Sequence, residues 1–198
     1  MTIQAADHAL IINATRTWLE RAVIGLNLCP FAKAVHSRHQ IRFQVSSATT
    51  TSALLADLTD EMRMLSEGDP QILDTTLLIH PDVLADFLDY NDFLALADQA
   101  LEDLQLDGIL QIASFHPQYQ FAGTQPDDID NYTNRSPYPT LHLLRESSID
   151  RAVEAFPDAA SIFERNIETL HKLGHDGWQA LNLAPAGTDQ TREKAANR

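Results

Sequence analysis

Apolar runs of strand length alternate with amphipathic stretches of helix length along this 198-residue chain. That alternation predicts an α/β or α+β sandwich, with helices covering a mixed sheet of about four strands. Strands separated by helix-length segments require crossover connections, and right-handed crossovers favour an at least partly parallel sheet. No solenoid-period repeat, low-complexity run or linker interrupts the pattern. Residues 1–183 are therefore expected to form one globular domain, and 184–198 a flexible polar tail.

The elements follow in order. From about Asp7 to Ile24, Ile11, Thr15, Trp18 and Ala22 share one helical stripe, flanked by Leu19 and Val23, and Gly25 supplies a stop. A second helix begins at Cys29-Pro30-Phe31, with the proline in the first helical position and Cys29 at the cap. Ile41, Phe43 and Val45 alternate with polar residues and predict a strand with one wet face. Thr51 or Ser52 caps a helix carrying Leu54, Leu55, Leu58, Met62 and Leu65, which Gly68 to Pro70 ends. Ile72 to Ile79 is apolar on both faces and reads as a central strand. Asp82 opens a helical stretch to about Gln105, with a break expected near Asp89 to Asn91. Ile109 to Phe115 is the third strand and Thr140 to Arg145 the fourth. A short helix over Ser147 to Phe156 stops at Pro157. Asp158 then caps a last helix with Ile162, Phe163, Ile167, Leu170 and Leu173 inward and Gly174 at its end, and Trp178 and Leu181 fold back on it.

Composition narrows the partners. A formal charge of -14 with no basic patch disfavours nucleic acid and anionic membrane surfaces. No segment approaches the length of a membrane span, and the N-terminal apolar run lacks the flanks of a signal peptide, so a cytoplasmic protein is expected. The single cysteine, Cys29, rules out an internal disulfide and fits a reducing compartment.

Candidate chemistry gathers in three places. The second and third strands both end in His-Pro, at His80-Pro81 and His116-Pro117, so strands pointing the same way would place both imidazoles at the carboxyl edge of the sheet. Cys29 at a helix N-terminus would have its thiolate stabilised by the dipole and by free N–H groups. Its string Cys29-Pro30-Phe31-Ala32 is similar to the active-site turn of glutaredoxins and omega-class glutathione transferases. Here the turn follows a helix and Ala32 stands in place of a second cysteine, so the likeness is to a capped thiol and not to a fold. The third place is the long non-periodic loop between Phe115 and Thr140, too long to be idle in a compact domain. Arg135 within it offers a bidentate fork for a small anion, with Asn131, Asn134, Tyr119 and Tyr138 able to orient that ligand. His142 alternates with Leu141 and Leu143 and reads as structural. Asp74, inside an apolar strand, needs a partner. His8, His36, His39, His171 and His175 read as surface or helix-end residues. The stretch Pro126-Asp127-Asp128-Ile129-Asp130 fails the calcium-loop pattern. With no phosphate-cradling glycine loop, Rossmann fingerprint, serine elbow or HExxH pair, no familiar cofactor is implied.

Taken together, Trp18-Leu19-Glu20, Leu28-Cys29-Pro30-Phe31-Ala32, Phe115-His116-Pro117, Tyr119-Gln120-Phe121 and Asn134-Arg135-Ser136-Pro137-Tyr138-Pro139 through Leu141-His142-Leu143-Leu144-Arg145 resemble a bacterial family catalogued only as a domain of unknown function. The resemblance spans about Ala14 to Leu173 and implies a stand-alone single-domain protein, without naming a reaction. Three readings stay open. One is a small-molecule enzyme with Cys29 as nucleophile or redox thiol, His116 and His80 as acid and base, and Arg135 as anchor for an anionic substrate. The others are a transition-metal site on Cys29, His80 and His116, and a non-catalytic binder of a metabolite or partner segment.

Overall fold

A computed structural model describes residues 5–155 and 161–183. The expected stop at Pro157, the expected cap at Asp158 and the tail from residue 184 lie outside these. The first helix, α1 (Ala5–Trp18), widens into a π-helical turn over Leu19–Ile24 and is followed by the short α2 (Ala32–Ser37). Then come β1 (Ile41–Val45), α3 (Thr51–Glu67), β2 (Thr75–Ile79), α4 (Phe87–Asp103) and β3 (Leu110–Phe115). A 3-10 turn (Ile129–Asn134) inside the long loop precedes β4 (Thr140–Arg145), α5 (Glu146–Ala155) and α6 (Ile162–Ala180). The result is one α+β domain.

The four strands lie in the order β1-β2-β4-β3. β1 and β2 pair in parallel, while β4 runs antiparallel to both of its neighbours. β3 consequently points the same way as β2 without pairing with it, because β4, which follows both in the chain, fills the space between them. Strand periodicity divides the sheet cleanly. On one face Leu78, Leu110, Leu141 and Leu143 pack under Leu54, Leu58, Met62 and Leu65 of α3 and under Tyr90, Phe93 and Ala97 of α4. On the other, Ile79 and Val45 meet Ile11 of α1, and Phe43 and Phe115 meet Trp18 and its neighbours. Each fully buried leucine of this kind contributes about 1.5–3 kcal/mol.

Several boundaries differ from the sequence reading for local reasons. β2 begins at Thr75, because the N–H groups of Ile72 and Leu73 both turn back to the Asp69 carbonyl and leave Ile72 73% exposed. α4 opens at Asp86 rather than Asp82: the Asp86 carboxylate accepts from the N–H of Leu88 at 2.8 Å and of Asp89 at 3.3 Å. The helix then runs unbroken through Asn91. Thr50 caps α3, its hydroxyl accepting from the Ala53 N–H. Gly174 does not end the last helix. It takes φ +65 and kinks it, and helix resumes to Ala180. Phe163, expected inward, is exposed and meets Phe121 edge-on. Among the described residues no helix is long and apolar enough to cross a membrane.

One buried cation ties the amino end of the sheet together. Arg145, at the end of β4, is 7% exposed and donates from its guanidinium to the carbonyls of Leu65, Gly68 and Leu73. It thereby caps the C-terminal carbonyls of α3 and the approach to β2 at once. Burial lowers its pKa below the usual arginine range, and Asp74 and Asp69 offset this only in part. Asp74 itself accepts the Ser148 hydroxyl at 2.5 Å, which is the partner its buried position demanded. Arg145→Met should therefore strand several buried carbonyls and lower stability by about 2–3 kcal/mol. In urea unfolding the midpoint should fall accordingly. Arg145→Lys, which cannot span three acceptors, should recover less than half of that loss.

Candidate functional site

Because β2 and β3 run in the same direction, His80 and His116 leave the sheet at the same edge. Alternation also gives them the same face: Ile79 and Phe115 pack on the α1 side, so each following histidine turns toward α4. Tyr90 of α4 stands between them, its ring centroid 5.6 Å from that of His80 and 5.1 Å from that of His116. The Tyr90 hydroxyl donates to the Thr140 carbonyl at 2.9 Å and accepts the Phe115 N–H at 3.2 Å. All three side chains are buried.

Partners define the state of each imidazole. His80 Nδ1 faces the Val83 carbonyl at 3.0 Å and must carry the proton there, which leaves Nε2 bare, buried and, among the described residues, without a partner. His116 Nδ1 accepts the Gln118 N–H at 3.0 Å, so its proton sits on Nε2 and is given to the Leu84 carbonyl at 3.2 Å. Burial pushes His80 down to about 4, with His116 adding a smaller push in the same direction. Burial also lowers His116, opposed by the Leu84 carbonyl and by Asp86. Both rings are neutral at pH 7.

Cys29 stands apart from this pair. α2 begins at Ala32 with Phe31 as its flanking residue, so the cysteine lies in the preceding turn rather than at a helix cap. It packs with Trp18, Leu19, Ala22 and Val23 on the α1 face, whereas the imidazoles lie on the α4 face. Burial raises the thiol, and the N–H groups of Phe31 and Ala32 only partly offset this, so the expected lowering is reversed. The expected pocket shared by Cys29, His80 and His116 is corrected accordingly. Among the described residues no three His, Cys, Asp or Glu side chains are grouped to hold a metal.

The long loop spends its polar groups on itself. Asn131, fully buried, accepts from the Phe121 N–H and the Thr124 hydroxyl and donates to the carbonyls of Gln125 and Pro126. Asn134 donates to the Ser114 carbonyl at 3.1 Å and accepts from Thr133. Arg135 stacks over Tyr132 at 4.1 Å and donates to the carbonyls of Tyr119 and Pro126. Its guanidinium is thus engaged by the loop and not presented as an anion fork. Tyr119 sits between Phe87 and Phe121, and Tyr138 packs beside Ile79 and Val45. His171 and His175 of α6 fasten the helix to the loop through Asp130 and the Asp127 carbonyl.

An open cleft of about 610 Å³ lies at the carboxyl end of β1, a place the sequence reading did not single out. Ser47, just past β1, and His8 on α1 meet there with Oγ and Nε2 3.4 Å apart. Asp57, Asp60 and Glu61, at helical spacing on α3, line the opposite wall. Arg42 neutralises Glu61 through two bonds of 2.8 and 3.0 Å, and the Ser46 hydroxyl donates to Asp57 at 2.5 Å. Among the described residues Asp60 meets only Arg63, at 3.5 Å on the surface. The signal available beforehand was that acidic i, i+3, i+4 face on the helix following the first strand.

A family model described as a protein of unknown function (DUF1415) matches residues 10–180. No curated protein and no solved structure matches the chain.

The buried histidines give stability a defined pH dependence. His142, bonded to the Thr75 hydroxyl at 2.7 Å, is also held down to about 4 by burial. An unfolded histidine titrates near 6.5, so below that pH the unfolded chain binds more protons. The contributions of His80 and His142 are complete above about pH 6.5 and are lost as pH falls toward 4, up to about 3 kcal/mol each. Urea midpoints should therefore drop steeply between pH 7 and 4.5, and a flat profile would contradict buried neutral rings.

Proposed function

As the chain belongs to DUF1415, a family of proteins of unknown function, we propose from its own residues that it binds a small cationic molecule, an amine or guanidinium compound, in the acidic cleft at the carboxyl end of β1. The observation that carries this reading is the cleft's acidic wall, where, among the described residues, Asp57 pairs with no cation and Asp60 only with Arg63 on the surface, while Arg42 is spent on Glu61. The volume of about 610 Å³ suits a metabolite-sized ligand. Its position at the carboxyl end of a parallel strand is where open sheets of this type take ligands. Ser47 and His8 add a hydroxyl and an imidazole that can accept hydrogen bonds from an ammonium group. The same pair, a hydroxyl beside a base, favours a second reading in which the bound molecule also exchanges a proton or is transformed.

This reading reverses the charge expected of the ligand. Arg135 is the anchor that an anionic substrate would need, and it is bonded inside its own loop.

Isothermal titration with putrescine, arginine and lysine, against citrate and inorganic phosphate as anionic controls, tests the proposal. Saturable binding of at least one amine that weakens with salt is expected. Asp57→Asn combined with Asp60→Asn should reduce that affinity by roughly tenfold or more, whereas Arg135→Gln should leave it unchanged. Binding of the anions alone, abolished by Arg135→Gln, would overturn it.

A further inference from the structure

We propose that the segment 81–86 is a latch, closed on the carboxyl edge of the sheet by the His80 and His116 imidazoles and released when these rings take up protons. The inference is independent of the cleft. Two observations carry it. First, the imidazoles come from separate strand ends, yet they hold consecutive carbonyls of one segment, Val83 O at 3.0 Å and Leu84 O at 3.2 Å. Second, the remaining nitrogen of each ring has no room for another proton. On His116, Nδ1 accepts the Gln118 N–H, and a proton there would set donor against donor. On His80, Nε2 is buried with no acceptor to receive a new N–H. Protonation of either ring therefore opposes the closed arrangement, and exposure to water relieves it.

The segment is built to give way. Leu84 sits at φ +57, a backbone region that a bulky L-residue enters only under constraint, and the two imidazole bonds hold it there together with the packing of Val83 and Leu84 on the core. Val83 is its buried side chain, while Asp82, Ala85 and Asp86 are exposed. The groups facing the rings are Tyr90 and Asp86 from α4, each ring from the other's strand, and Tyr119 beside Phe87 and Tyr90. Asp86 alone among these would attract a proton to His116, and the two rings oppose each other's charge. Release would uncover the His80–Tyr90–His116 stack.

Amide hydrogen exchange at pH 7 and pH 5, corrected for intrinsic rates, tests the latch on the full chain. For His80, with an open-state value near 6.5 and a closed one near 4, opening should become about 20-fold more frequent over that interval, and His116, lowered by burial, should add in the same direction. The amides of His80, Tyr90, Gln118 and Tyr119 should lose protection, while Leu77 and Leu141 in the sheet hold theirs. In the double variant His80→Asn and His116→Gln, whose amide nitrogens imitate the two ring donors without titrating, protection should not change with pH. Equal loss at Leu77 and Leu141, no loss in the wild type, or the same loss in the variant would overturn the proposal. Should the variant not fold, side-chain nitrogen NMR of the wild type decides: protonation of His116 Nδ1 must coincide with loss of Gln118 protection, and separate midpoints refute the latch.

Discussion

A single phenol holds the centre of this fold. The hydroxyl of Tyr90 joins α4 to the end of β3 and the start of β4, at the point where an antiparallel strand is wedged between two that run together. The same ring keeps two imidazoles apart and dry. A fully buried hydroxyl satisfied on both its donor and acceptor sides is a strong specifier, because any shift of α4 would leave three polar groups unpaired at once. The neutrality of His80 and His116, and the shape of the edge they occupy, follow from that placement.

Much of the fold was legible because the chain announces it by period. β1 and β4 fall where alternation places them, α3 carries its expected apolar stripe, and His80 and His116 reach the same edge. What periodicity does not encode is the order of strands. β4 enters between β2 and β3 through a pairing decided by long-range packing, with no local sequence signal to mark it. Boundaries shifted where a side chain captured a backbone group, as Asp69 and Asp86 do, since capping competes with hydrophobic pattern at a range of two or three residues.

The candidate site was less legible, for a related reason. Cys29, His80 and His116 were joined on the strength of residue type, but strand alternation turns both imidazoles toward α4 while Cys29, in the turn before α2, packs against Trp18 and its neighbours on the α1 side. Asn131, Asn134 and Arg135 looked like recognition groups because they are polar and clustered. The loop they occupy has many buried carbonyls and N–H groups of its own, and these residues satisfy them. Conversely, nothing singled out Asp57 and Asp60 beyond their spacing along one helix face. Only the approach of α1, bringing His8 to Ser47, turns that face into the wall of a cleft.

The late position of β4 has a further consequence for how the protein comes into being. A ribosome delivers the chain from its N-terminus, and until residue 145 has emerged β2 lacks one neighbour and β3 lacks any partner in the sheet. The nascent polypeptide must therefore carry β2 with one open edge and β3 with two until β4 follows, the kind of surface to which chaperones are drawn. The sheet is thus completed only by the last of its four strands to emerge, and products truncated before residue 140 would be adhesive fragments rather than smaller versions of the domain.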